Sequence, residues 1–289
     1  MRRDARAGFI LVAVLGVTAL IAALIGAVSL LVRSAVDGVR AGSDDLALAG
    51  LTRAGIELAG YQLYELKTPF EALDGQQIRL DSGAVTLFVT DESGRIDLNG
   101  ADPTLLTGLA RAAGLSALPP ASFAARVADW RDGDDERSPG GAETGDYASA
   151  GLDHRPQNDA FRSVADLRWL LGLPAGQAAA LAKMSTIHNP AGKVNVLSAG
   201  RDVLLALPGM SPPTVDRILT MRRSPKASLA QDVLSLLRDQ QGSVKVEPGP
   251  SYRVRVEARL AGARARTAEV VLTASRTADS LAYVVEWAP

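Results

Sequence analysis

Residues 1–33 read MRRDARAGFILVAVLGVTALIAALIGAVSLLVR, and from Phe9 to Val32 there are 24 residues without a charge. A helix of that length reaches roughly 36 Å at ~1.5 Å per residue, enough to cross a hydrocarbon core of ~30 Å. The apolar region of a cleaved secretory leader is about 7–15 residues and ends at a small-x-small site. This run is longer, and no such site follows it. Arg2, Arg3 and Arg6 precede it against the single acid Asp4. The positive-inside rule then predicts a cytoplasmic N-terminus, with the bulk of the chain across the membrane.

The helix is expected to continue past the membrane. No proline occurs before Pro69, residues 33–66 are rich in Ala and Leu, and Leu48, Leu51, Leu58 and Leu63 fit one apolar stripe. A short basic leader ending in Gly8, then Phe9, then a helix of this kind resembles the type IV pilin and pseudopilin family. The resemblance implies that a prepilin peptidase cuts after Gly8 and that the new N-terminal Phe9 is methylated. Most members of that family carry a Glu five residues after the cut, thought to pair with a neighbouring subunit's N-terminal amine. A charge inside the bilayer is costly unless partnered, so such a pair can set the register of assembly. Here Ala13 stands in that place. A subunit lacking the Glu can be docked from below and cannot itself reach a subunit above.

Beyond the helix the pattern turns to strands. Ala84–Thr90 and Arg95–Leu98 read as two short strands joined by a turn at Glu92–Gly94. Ser251–Leu260, Ala265–Ala274 and Ala282–Trp287 supply more, with a turn at Gly262 between the first two. In YRVRVEARL, Tyr252, Val254, Val256 and Ala258 face one way, and the arginines and Glu257 the other, as in a half-buried antiparallel strand. Between the strand groups the chain reads as helical, punctuated by Asp102-Pro103, Pro119-Pro120, Pro174 and Pro212-Pro213. The expected fold class is α+β: a small antiparallel sheet split by an all-helical insertion. The expected divisions are a leader at 1–8, a transmembrane segment at 9–32, and a pilin-like helix with the first strands at 33–100. The insertion follows at 101–240 and the C-terminal strands at 241–289.

Within the insertion the sequence echoes itself. GRIDLNGADPTLLTGL from Gly94 and GKVNVLSAGRDVLLAL from Gly192 align at an offset of 98, each a short extended segment followed by a helix. The second copy, running into LPGMSPPTVDRIL, resembles half of a helix–hairpin–helix element, whose Gly-containing turn presents backbone N–H groups to DNA phosphate. A membrane-anchored DNA-binding protein is therefore the alternative reading. Lys193, Arg201, Arg217, Arg222, Arg223 and Lys226 lie near the hairpin, but the whole chain carries a net charge of −1, so no nucleic acid is expected as a partner.

The densest chemistry is ADWRDGDDERSPGGAETGDYASAGLDHRP. Seven acids (Asp129, Asp132, Asp134, Asp135, Glu136, Glu143 and Asp146) lie close together, with glycines at 133, 140, 141 and 145. Such carboxylates repel unless they are solvated, protonated or bound to a cation. A flexible loop of hard oxygen ligands suits Ca²⁺ better than Mg²⁺ or Zn²⁺. Acids at positions 1, 3, 5 and 12 from Asp132 mimic an EF-hand, but Arg137 stands where that loop needs Gly, and Pro139 lies inside it. A non-EF calcium loop anchored by Trp130 and Tyr147, or a solvated acidic turn, both satisfy the pattern. The chain has no cysteine, and its two histidines, His154 and His188, are far apart. No nucleophile elbow or phosphate loop accompanies the acids, so no enzyme is expected.

Together these segments resemble the K-type minor pseudopilin of the type II (general) secretion pathway. The carrying stretches are AGFILVAVLGV without the Glu, GRIDLN, DWRDGDDERSPGGAETGDY, RPQNDAFRSVADLRWLLGL and KVNVLSAGRDVLLALPGM. The resemblance implies a pilin fold with a helical domain inserted into its sheet. It also implies a place at the tip of a periplasmic pseudopilus, held from the inner membrane, with I- and J-type minor pseudopilins as partners. It implies Ca²⁺ bound by Asp132, Asp134, Glu143 and Asp146, with Asp129 as a further ligand. Two departures stand out: ETGDY places Thr144 and Gly145 between acids that relatives hold closer together, and VLSAG replaces the usual Asn-Thr-Ala wording.

Overall fold

The computed structural model describes residues 4–224, 226–240, 242–261, 264–275 and 282–288. The turn expected at Gly262, and Arg2 and Arg3 of the basic leader, lie outside the described residues. Helix α1 runs from Asp4 to Gly60, so Gly8 and Phe9 fall within it, and a π-helical turn, Tyr61–Glu65, ends it. From Val12 this helix is long and apolar enough to span a membrane, and Val12–Val32 expose their side chains. Further along, Leu48, Leu51 and Leu63 are buried as the stripe predicts, joined by Ile56 and Ala59, while Leu58 is half-buried.

A short helix, α2 (Phe70–Leu73), precedes strands β1 (Gln76–Leu80) and β2 (Gly83–Asp91). Two residues connect β1 to β2, which only an antiparallel pair permits. The C-terminal strands are β7 (Ser251–Leu260), β8 (Ala265–Ala274) and β9 (Ala282–Ala288), and one five-stranded sheet has the order β1-β2-β7-β8-β9. β8 and β9 are antiparallel, with a bulge between Val271 and Leu272. The chain divides into two compact units. One holds residues up to 55 with 77–86 and 256–267; the other holds 56–76, 87–255 and the segment from 268 onward. In the first, Arg264 lies 3.7 Å from Asp44 and 3.5 Å from Asp45. In the second, the Tyr64 hydroxyl donates to the Leu272 carbonyl at 2.8 Å.

Two expectations are corrected here. Arg95–Leu98 does not return beside β2 as the second strand of a hairpin. The Asp91 side chain accepts from the Ser93 N–H at 2.9 Å and folds Glu92–Gly94 into a 3-10 turn that carries the chain off the sheet. The segment becomes β3 (Ile96–Asp97), which pairs in parallel with β4 (Ser185–Thr186). In β7, Arg255 and Arg259 are exposed as the alternation requires, but Arg253 is buried. Its guanidinium meets the fully buried Glu92 at 2.6 Å and Glu269 at 3.0 Å, so charge pairing overrides the period-two pattern.

The remaining elements are helices, 3-10 turns and two more two-residue strands. α3 (Pro103–Ala112) starts where Asp102 accepts from the Leu105 N–H, and α4 (Pro120–Arg131) starts at the Pro119-Pro120 pair. α5 (Thr144–Ser149), a 3-10 turn at Val164–Trp169 and α6 (Ala175–Met184) complete a first set. β5 (Val194–Asn195), α7 (Arg201–Ala206), α8 (Pro212–Arg223), α9 (Leu229–Leu236) and β6 (Val244–Lys245) form a second.

These sets are two copies of one unit. β3 pairs in parallel with β4, and β5 in parallel with β6. Arg131 at the end of α4 donates to the carbonyls of Leu98 and Ala101; Arg222 near the end of α8 donates to those of Val196 and Ala199. The acceptors differ by 98 residues in both cases, the offset of the sequence echo. The copies also face each other reciprocally. A Cβ on Gly94 would come within 2.9 Å of Ser198, and one on Gly192 within 2.1 Å of the Gly100 oxygen. Gly108 packs on its own counterpart, since a Cβ there would lie 1.8 Å from the Ala206 oxygen.

Candidate functional site

The acidic loop leaves the C-terminus of α4 and returns through α5. Trp130 and Tyr147, one at each end, are buried in the insertion's core. Trp130 stacks on Phe161 with ring centroids 5.6 Å apart, and the Tyr147 hydroxyl accepts from the Leu171 N–H at 3.0 Å. The loop's two ends are therefore fixed by packing, while the acids between them are free to converge.

Asp132, Asp134 and Glu143 do converge: one carboxylate oxygen from each lies within 4.8 Å of the other two. Asp129 is fully buried beside them, with both carboxylate oxygens 3.3 Å from the Ser138 N–H. This burial dictates Gly141, where a Cβ would sit 1.9 Å from an Asp129 oxygen. Asp146 is turned elsewhere. One of its oxygens accepts from the Glu143 N–H at 2.9 Å, and the other meets Arg137 at 3.0 Å. Those contacts hold its carboxyl below the usual range, the backbone N–H first and Arg137 after it.

The electrostatics of the cluster are unbalanced. Both oxygens of Glu143 and Oδ1 of Asp132 are buried without a hydrogen-bond partner. Burial, and then the nearby charges of Asp129 and Asp132, push Glu143 up to about 7. Burial and the charges of Asp134 and Asp129 also raise Asp132. Orphaned, desolvated carboxylate oxygens of one sign are the complement of a hard cation, so the residues present fit Ca²⁺. Asn158, not singled out in the sequence, joins the site. Its Nδ2 donates to the Asp134 carbonyl at 2.6 Å and to Asp135 at 3.2 Å, while its Oδ1 is buried and unpartnered. The residue sits at φ +48°, in the left-handed region. An uncharged amide gives no signal in a charge-based scan, although it lies in the quoted RPQNDAF stretch.

The hairpin of the alternative reading lies between α7 and α8. There Arg222 is turned inward onto carbonyls, and Arg201 is paired with Asp216, itself on α8. Both are lost as phosphate contacts.

These elements define a class, a pilin-like fold with an apolar N-terminal helix and a duplicated helical insertion. Residues 89–191, which contain the first copy and the acidic loop, match the family model described as type II secretion system (T2SS), protein K. The match spans about a third of the chain and takes in the acidic loop. Among solved structures it is similar to a chain of the GspK-GspI-GspJ complex from the enterotoxigenic Escherichia coli type 2 secretion system. The TM-score is 0.62 at 13% identity, covering 87% of this chain and 99% of that one. No curated protein matches the chain in sequence.

Proposed function

We propose that this chain is the minor pseudopilin at the tip of a type II secretion pseudopilus, where it helps start assembly with I- and J-type partners. The similar solved chain belongs to a GspK-GspI-GspJ complex, which supports that choice of partners. The observation that carries the tip position is Ala13, an exposed small residue inside the apolar helix. With no carboxylate there, the helix offers nothing to neutralise the amine of a subunit above it. Prepilin peptidase cuts after Gly8, Phe9 is methylated, and α1 holds the chain in the inner membrane with the remainder in the periplasm. The role is one of assembly, not enzymatic turnover.

Asp132, Asp134 and Glu143 would hold Ca²⁺, with Asp129 behind them and Asn158, from beyond α5, bonded to Asp134 and Asp135. Asp146 acts by fixing the start of α5 through the Glu143 N–H. Bound Ca²⁺ supplies the positive charge that lets these carboxylates be ionised together, so its binding free energy adds to the stability of the fold. The tip assignment is tested by Ala13→Glu, read by secretion and by electron microscopy of pseudopili. Abnormal incorporation of the subunit along the fibre, or impaired secretion, is expected. Normal secretion with unchanged fibres refutes the assignment.

A further inference from the structure

A groove of about 460 Å³ opens on the first copy of the insertion, away from the acids. Val164, Ala165 and Arg168 of the 3-10 turn form one wall; Ala178, Ala182 and Lys183 of α6 form the other. Its volume lies in the range of ligand sites, but its surface is almost wholly apolar, without the convergent polar groups that orient a small molecule. The charged residues on its lining are both basic, and neither Arg168 nor Lys183 has a carboxylate partner among the described residues.

An exposed aromatic ring lies against one of the lining residues. Within residues 101–240, among the described residues, the exposed large hydrophobics are Leu152 at 37% and Trp169 at 42% exposure. Trp169 follows Arg168, whose guanidinium lies 4.8 Å from the indole ring centre, and the ring of His154, two residues from Leu152, meets the same indole at 5.1 Å. Leu167 and Leu170 on either side of the pair are buried, so the turn has an inward face and Trp169 is not on it. An exposed Trp carrying an Arg beside an apolar groove has the composition of an interface hot spot.

We propose that this groove receives an amphipathic helix of a partner protein. Its apolar side chains lie on the alanine floor against Trp169, and its carboxylates pair with Arg168 and Lys183. Charge complementarity selects an acidic helix over a basic one, and the apolar floor selects a helix face over a soluble anion. The site is separate from the acidic loop and does not depend on the tip assignment.

The test uses the full chain in nanodiscs of neutral lipid, with empty nanodiscs as the control. The probes are two fluorescent amphipathic helices of about four turns with the same Leu/Ala face, one flanked by Glu and one by Lys. Fluorescence anisotropy is expected to show saturable binding of the Glu helix. The double variant Arg168→Glu/Lys183→Glu, altered only at exposed positions, should bind the Glu helix about tenfold less or weaker and gain the Lys helix. Ala179→Trp, which fills the groove, should abolish both. Absence of binding, equal binding of both helices, or insensitivity to the charge reversal overturns the proposal. So does dodecanoate displacing the Glu helix while the charge-reversed variant still binds that helix normally, since the groove would then be a lipid site.

Discussion

Glu143→Gln separates the cost of the acidic cluster from its use. The wild-type carboxyl is raised from 4.5 to about 7 by burial and by its acidic neighbours. A carboxyl raised in the folded state contributes stability that is fully present below its unfolded value, and this is lost as pH rises through the folded one. The metal-free protein should therefore lose stability between about pH 4.5 and pH 7. At ~1.36 kcal/mol per unit the whole shift corresponds to ~3 kcal/mol, and solvent at the exposed rim of the cluster reduces this to ~1–3 kcal/mol. Glutamine has nearly the same shape and no charge. In the presence of a chelator at pH 8 the variant should be more stable than wild type by that amount, about 2–10 °C in Tm, and equal to it near pH 4. With calcium the order should reverse, because the variant lacks a ligand charge. The assay is thermal unfolding of the chain in detergent at both pH values, with chelator or with calcium. If the variant is less stable than wild type in chelator at pH 8, the cluster is not destabilised by Glu143; if it gains as much from calcium as wild type, Glu143 is not a metal ligand.

Two further outcomes concern the buried charges between insertion and sheet. Arg253→Met leaves the fully buried Glu92 with Arg95, 3.7 Å away, as its one remaining cation beside the Thr186 hydroxyl, and should cost about 3–5 kcal/mol in chemical denaturation. Adding Glu92→Gln should restore most of that loss, and failure to do so would show that the arginine acts through packing. Glu286 accepts from His188 at 2.7 Å, and this contact holds its carboxyl below 4.5. Its contribution is thus present above about pH 4.5 and lost as pH falls through the lowered value. Glu286→Gln should cost about 1 kcal/mol at pH 6 and flatten the acid limb of the stability curve; an unchanged limb would contradict the pairing.

The long helix, strands β7 and β8 and the helical stretch were legible because each is carried by many residues of one period. β1 was not, since QQIRL is polar at three of its five positions and exposes alternate residues beside β2. β3 was misassigned because two residues hold no periodicity, and a side-chain bond from Asp91 decides where they go. Arg253 looked like a solvent residue because its partners, Glu92 and Glu269, are distant in sequence. The acidic loop was visible as a composition, but composition does not say which carboxylates converge. Asp146 carries the same charge as Glu143 three residues away, yet the turn into α5 aims it at a backbone N–H and Arg137. The 98-residue echo had more content than a sequence alignment shows, since the matching glycines mark where the copies meet and the two arginines close each copy on its own carbonyls.

That duplication also says how far the loss of a cation should spread. In the second copy α8 and α9 are joined by the short link 224–228, while in the first the path from α4 to α6 runs through the acidic loop and the 3-10 turn. The second copy shows that the unit closes without such a loop. In the first copy, however, the segment from the loop through α5 to Phe161 supplies Ala142, Tyr147 and Phe161 to the core, and Phe161 stacks on Trp130 of α4. Repulsion among Asp129, Asp132, Asp134 and Glu143 therefore acts on groups that hold α4 in place, while α7, α8 and α9 have no acid of the cluster on them. Chelation should raise amide hydrogen exchange in residues 129–171 and in α4, and leave α7–α9 near their original protection. An even loss of protection in both copies would mean that the insertion opens as one unit. No change anywhere would mean that no cation was holding the loop.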